Sequence, residues 1–413
     1  MGTLFFAIAV LHTFTVKRFQ SIANQFPEGS VLENVFHLLG EVEVVFGVWA
    51  GIWFAYFSLS HSYSEALNYI ENLNFREPLF VFVIMTVAAT KPVLQISKLL
   101  IFNLAKVLPF HLKISRYLLT LTLGPLLGSF ITEPAAMTVT ALILLDEFYQ
   151  SESSDAFKYL TLGILFVNVS IGGVLTHYAA PPVLMVADKW GWNSVFMMST
   201  FGWRAVLAVV TNSVVGALVF SKTLKGMHLN TQVKNRSPFW LVAIHLVMIG
   251  MIVFSSHHPV VFLAVFLFFL GVADITKEFQ DPIQLKSSLL VAFFLAGLVV
   301  FGEMQTWWLK PLLAKLNPLS LYLGSTGLTA IMDNAALTYL GSQVDGLTDP
   351  MKYALVAGAV TGGGLTIIAN APNPAGFSIL KGSFGQEGIS PLMLLLGGLI
   401  PTLVAAISFW LLP

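Results

Sequence analysis

The 413-residue chain contains no cysteine. That single absence excludes disulfides, thiolate metal sites and cysteine nucleophiles, and it leaves the redox compartment unreadable. Charge is nearly as scarce. Only 10% of residues are Asp, Glu, Lys or Arg, against about a quarter in an ordinary soluble domain. The 21 basic and 21 acidic residues cancel, so no net field favours nucleic acid. The chain also lacks HExxH, GxSxG and P-loop strings, and its longest polar stretches, near 17–35 and 61–77, are too short to hold a nucleotide. An enzyme is therefore not expected, and neither is a cofactor.

Hydrophobic residues, by contrast, make up 56% of the chain and aromatic residues 13%, with a mean hydropathy of +0.80. The surface itself must be apolar, which excludes a soluble globular protein and makes the lipid bilayer the expected partner. A helix needs about 20 apolar residues to cross the hydrocarbon layer. Ten candidate spans follow: Thr3–Val16, Phe36–Phe57, Leu79–Lys98, Phe157–Ala187, Phe201–Phe220, Phe239–Ser255, Pro259–Val272, Ser287–Gln305, Tyr353–Leu380 and Pro391–Leu412. The first opens without a basic region and ends in Lys17-Arg18, so it reads as a membrane helix and not a cleaved signal.

Lys and Arg gather on the cytoplasmic side of membrane proteins. Placing both termini outside a bacterial-type plasma membrane puts Lys17, Arg18, Lys98, Lys106, Lys113, Arg116, Lys158, Lys222, Lys225, Lys234, Arg236, Lys277, Lys286 and Lys381 inside. The alternation works only if two further apolar stretches, Leu118–Leu145 and Leu319–Val344, enter the membrane without crossing it. They are expected to be re-entrant hairpins.

Those stretches also carry an internal repeat. ITEPAAMT at Ile131–Thr138 matches IMDNAALT at Ile331–Thr338 with an offset of 200, and GGVLTHYAAPP at Gly172–Pro182 matches GGGLTIIANAP at Gly362–Pro372 with an offset of 190. The order is span, hairpin, broken span, twice over. The first copy starts outside and the second inside, so the copies are inverted, as in secondary transporters with a site near the midplane. The expected fold is an all-α polytopic membrane protein of about ten transmembrane helices, with two re-entrant hairpins in two inverted repeats with discontinuous helices. Its expected parts are N-terminal scaffold-like helices (1–78), a first repeat (79–220, hairpin 118–145, broken helix 157–187), a cytoplasmic linker with two connecting helices (221–286), and a second repeat (287–413, hairpin 319–344, broken helix 353–380).

Intramembrane carboxylates are costly and mark function. The repeat sets Glu133, followed by Pro134, against Asp333, followed by Asn334. In the broken spans, glycines precede Thr176 and Thr366, and Asn370, Pro372, Asn373 and Pro374 interrupt the second copy. Unwound carbonyls with Thr and Asn oxygens suit an alkali cation. The expected ion-binding set is Glu133, Asp333, Asn334, Thr176, Thr366, Asn370 and Asn373. His177 can titrate near neutral pH, and Lys91 and Glu303 lie at similar places in the two copies, so these three are candidates for proton coupling. Glu41 and Glu43 suit the first turns of a span. His257-His258 falls in an external turn without nearby ligand partners, so no resident metal site is expected there.

GEVEVVFGVWAG at Gly40–Gly51, the two hairpin motifs and GGGLTIIANAPNPAG together resemble the sodium/proton antiporter family of the ion transporter superfamily, to which arsenite permeases and citrate and dicarboxylate carriers also belong. The resemblance spans nearly the whole chain. It implies two inverted repeats, a homodimer, and a transport region that moves as an elevator against a scaffold. It also implies hairpin tips at Thr132, Glu133, Pro134, Met332, Asp333 and Asn334, and discontinuous-helix positions at Leu175–Ala180 and Thr366–Asn373. Dicarboxylate carriers of that superfamily have neutral Ser-Asn-Thr tips, whereas both tips here are acidic. An anion would be repelled and a cation attracted. Removal from water favours the neutral acid, so proton and cation compete for one group. The expected activity is exchange of Na+ (or Li+) for H+; the alternative is a Na+- or H+-coupled carrier of an organic anion or oxyanion.

Overall fold

A computed structural model describes residues 1–149, 153–227, 236–385 and 388–411. Among the described residues the regular elements are all helical. Lys234 and the Leu412 end of the last expected span lie outside them.

Among the described residues, six helices are long and apolar enough to cross a bilayer: Val42–Ser60, Leu112–Ile131, Asp155–Leu175, Ser194–Val219, Leu285–Leu313 and Pro391–Trp410. A seventh is counted if Arg76–Ala88 and Lys91–Ala105, bent by 65° at their junction, make one span. Three of the other expected spans fall on shorter apolar helices, and caps and breaks account for their length. Gly2–Thr13 has 12 residues, about 18 Å of helix. Phe239–Phe254 and Pro259–Ile275 are also shorter than a full span. The expected run Leu79–Lys98 stops at Thr90, whose ψ of 150° ends one helix, and restarts at Lys91-Pro92, where a proline in the first turn needs no N–H donor. The expected run Phe36–Phe57 is likewise interrupted, between the helix Val31–Leu39 and the turn Val42–Val44.

The chain divides into two compact units. The first contains 1–82, 285–315 and 339–346. Its helix Val45–Ser60 packs on Gly2–Thr13 and on Leu285–Gly302. A Cβ at Gly297 would run into the backbone of Phe46 and Gly47, so a residue without a side chain lets these helices touch. The rings of Phe6, Phe46 and Phe294 fill the remaining space at centroid distances of 5.7 and 5.4 Å.

The second unit contains 83–284, 316–338 and 347–413, and it holds four interrupted helices. The first pair is α1 (Leu112–Ile131) and α2 (Glu133–Glu147), which pack against each other. Next come α3 (Asp155–Gly172) and α4 (Pro181–Trp190), then α5 (Pro318–Thr329) and α6 (Asn334–Ser342), whose last residues belong to the first unit, then α7 (Asp349–Gly362) and α8 (Asn373–Leu380). The first expected hairpin, Leu118–Leu145, falls on α1 and α2, and α1 by itself has 20 residues and the length and composition of a span.

The span built on α3 is 94% buried and forms the core, packing on α1, α2, α7, Trp203–Val219 and Pro391–Trp410. Buried apolar side chains there include Tyr117, Phe148, Phe157 and Phe166. One polar knot crosses the core. Asn168 Nδ2 donates to Leu121 O (2.8 Å), Asn212 Nδ2 donates to Asn168 Oδ1 (2.9 Å), and Ser213 Oγ donates to Leu121 O (2.9 Å). Such bonds fix helix register where apolar contact alone leaves it free.

Candidate functional site

α1 and α2 are separated by one residue, Thr132, whose φ of 77° and ψ of 148° place it in a region normally reserved for glycine. It is the one non-glycine residue with positive φ among the described residues. A β-branched side chain held there costs about 1–3 kcal/mol. Thr132 O accepts from Ala136 N at 3.1 Å, so α2 starts at once. Pro134 sits in its first turn, where a missing N–H is harmless.

Glu133 is 0% exposed. Its Oε2 accepts from Asn370 Nδ2 at 3.1 Å, while Oε1 has no hydrogen-bond partner. Glu133 joins none of the ion pairs among the described residues. A Cβ at Gly173 would collide with Oε1, so the glycine after α3 makes room for the carboxylate.

The second tip is built differently. Asp333 Oδ1 accepts from Ala335 N (2.8 Å) and Ala336 N (3.1 Å), so it caps α6. Asn334, the first residue of α6, is 0% exposed, and neither of its side-chain polar atoms is hydrogen-bonded. It lies against Gly363, where a Cβ would crowd Asn334 Nδ2 and Ser170 Oγ.

The expected pairing of Glu133 with Asp333 therefore shifts by one residue. Thr176 Oγ1 donates to Ser129 O (2.6 Å) and Thr366 Oγ1 to Ala330 O (2.9 Å). Gly172 lies against the Pro125 carbonyl and Gly362 against that of Thr326. The first turn-closing bond of α2 ends on Thr132 O, and that of α6 on Asp333 O. In each case the residues contacted before or at the helix break are 201 apart (125 and 326, 129 and 330, 132 and 333), not 200. In this register Glu133 corresponds to Asn334, and Asp333 to Thr132.

The second break completes the cluster. Asn370 is 1% exposed, gives Nδ2 to Glu133, and keeps Oδ1 without a partner. Asn373 Nδ2 donates to Gly363 O and Thr366 O, both at 2.8 Å, and its buried Oδ1 is likewise unpartnered. Ser170 Oγ joins α3 to α7 through Val360 O at 2.7 Å. Contacts thus connect Glu133, Asn370, Asn373, Thr366 and Asn334. Buried acceptors without donors are rare, and this set combines one carboxylate outside any ion pair among the described residues with the unpartnered Oδ1 atoms of Asn334, Asn370 and Asn373. It can take a proton or a bare cation, whereas a bound anion would face the charge of Glu133.

The remaining candidates lie elsewhere. Thr176 sits in the first break, held by Ser129. His177 Nδ1 is 2.9 Å from Ser194 Oγ. Lys91, a candidate for proton coupling, lies 3.7 Å from Asp281. Glu303 is exposed and belongs to the first unit. His257 does have a partner, Asp188 at 3.5 Å, although no group of three metal-ligating side chains forms among the described residues. Sequence reasoning missed Ser129, Ser170 and the matched roles of Gly173 and Gly363. The signal was available, since a glycine stands at the same place in both copies of the broken span.

The chain belongs to the family described as "Putative Na+/H+ antiporter", whose model matches residues 1–412. No curated protein matches the sequence. The family and the long apolar helices point to a membrane-embedded protein, and the family implies a transporter.

Proposed function

We propose that the chain exchanges Na+ (or Li+) for H+ by competition at one site built on Glu133, Asn334, Asn370 and Asn373. The observation that carries this reading is Glu133: fully buried, bonded to one neutral amide, and outside every ion pair among the described residues. A bare carboxylate away from water is expensive. A proton on Oε1 removes that cost, and so does a cation ligated by the carboxylate and by amide and carbonyl oxygens. The two loads exclude each other because both need the same oxygen. Obligatory exchange follows, since the site is least stable when it carries neither.

The same reading takes the two tips as re-entrant, the repeats as inverted, and alternating access as elevator-like in a homodimer of a bacterial-type plasma membrane with both termini outside. The recurrent Thr-to-carbonyl bonds at Thr176 and Thr366 support the repeat, and the Lys and Arg distribution supports the orientation. Burial of Glu133 without a cationic partner argues against the organic-anion alternative.

The test is luminal pH in proteoliposomes under an acid-inside gradient, with Na+, Li+ or K+ added outside. Na+ and Li+ should alkalinise the lumen in the wild type and not in Glu133→Gln. A wild type that moves no protons in response to any cation would falsify the proposal.

A further inference from the structure

We infer that Glu133 is the sole exchangeable carboxylate of this site and that Asp333 is a fixed helix cap, so each cycle moves one monovalent cation against one proton and carries no net charge. The inference rests on the antiport reading above and adds its stoichiometry.

Three observations lead to it. First, Glu133 and Glu147 are the two acids that are fully buried among the described residues, and Glu147 lies 2.7 Å from Arg116 Nη1. One buried carboxylate already has its counter-charge; the other does not. Second, Asp333 is only half-buried, and one of its oxygens holds two backbone N–H groups at the start of α6. Protonating it or binding an ion there would compete with the cap. Its counterpart in the first tip is Thr132, which has no charge to exchange. Third, the residue that matches Glu133 in position and burial is Asn334, an amide with no proton to give up at any physiological pH.

The charge count follows directly. With a proton on Glu133 the site is neutral. When Na+ enters, the O–H bond breaks, its electron pair stays on the carboxylate, the proton leaves to water, and the cation restores neutrality. Asp333 keeps the same charge throughout. Both loaded forms therefore cross the membrane with equal charge, and a membrane potential has nothing to act on. Two exchanging carboxylates would instead move two protons per cation and respond to voltage.

The experiment measures initial rates of Na+-driven proton movement in proteoliposomes clamped with K+ and valinomycin at zero or inside-negative potential. The wild-type rate should be the same at both. Asp333→Ser and Asp333→Asn should each stay within about twofold of the wild type, because Ser, Asn and Asp rank alike as caps, and should stay insensitive to potential. Glu133→Gln should lose the flux by at least about tenfold. Asn334→Asp, which sets a second carboxylate in the Glu133 register, should make the flux respond to potential. A wild-type rate that changes with potential overturns the inference, as does a loss of flux in a thermally folded Asp333→Asn equal to that of Glu133→Gln. No flux in the wild type overturns the antiport reading itself, and the stoichiometry with it.

Discussion

Glu133 and Glu147 open and close the same 15-residue helix, and both are buried. At the Glu147 end, Arg116 lies 2.7 Å away with its guanidinium 4.5 Å above the Phe102 ring, and Lys98 pairs with Asp146 at 2.9 Å alongside. At the Glu133 end there is one amide N–H, a glycine and an oxygen that meets no donor. The difference separates two uses of a buried acid. A carboxylate that must remain charged is given a fixed cation. One that must change its charge is given neutral oxygens, so that a mobile cation can supply what the fold withholds. Burial alone marks neither.

The comparison can be broken most forcefully at the paired end. Arg116→Gln should leave Glu147 buried without its cation and lower stability by about 3–5 kcal/mol, read as a large fall in thermal midpoint in detergent. Arg116→Met with Glu147→Met should recover most of it. Neutralising the other end should do the reverse: Glu133→Gln should keep or raise the midpoint while abolishing exchange, which no purely structural role for Glu133 would produce. Gly173→Ala comes next. Its Cβ would press on Glu133 Oε1, and overpacking of this kind costs about 1–3 kcal/mol, with a matching loss of Na+-driven flux.

Thr132→Gly sharpens the picture at the tip itself. Relief of the positive φ, set against the greater freedom of glycine in the unfolded chain, should give a net gain of about 1 kcal/mol, checked by the same thermal assay. The smallest effect belongs to Asp146→Asn. Its pair with Lys98 is partly exposed, so its loss should cost no more than about 1 kcal/mol and leave transport intact.

Much of this was legible in the sequence. Scarce charge pointed to the membrane, and the paired strings around Glu133 and Asp333 fall on two helix breaks. Glycine and asparagine runs gave the two broken helices. The one-residue shift between the tips was not legible, because the strings align by side-chain likeness whereas the helix starts are set by backbone geometry. Thr132 turns the chain through an unusual φ, and Asp333 does so by capping. The Arg116–Glu147 pair joins residues on two helices, and nothing local in the sequence announces it. The bend before Lys91 was announced, by Thr90 ahead of Lys91-Pro92, but hydropathy ran smoothly across it.

Asn373 ties Gly363 O and Thr366 O to one amide nitrogen. That staple ties the two ends of the unwound stretch between α7 and α8 to one side chain, so its carbonyls are oriented by a nitrogen of the chain itself. Under the exchange proposed above, preference among Li+, Na+ and K+ would then be set as much by the nitrogen of Asn373 as by any oxygen offered to the ion.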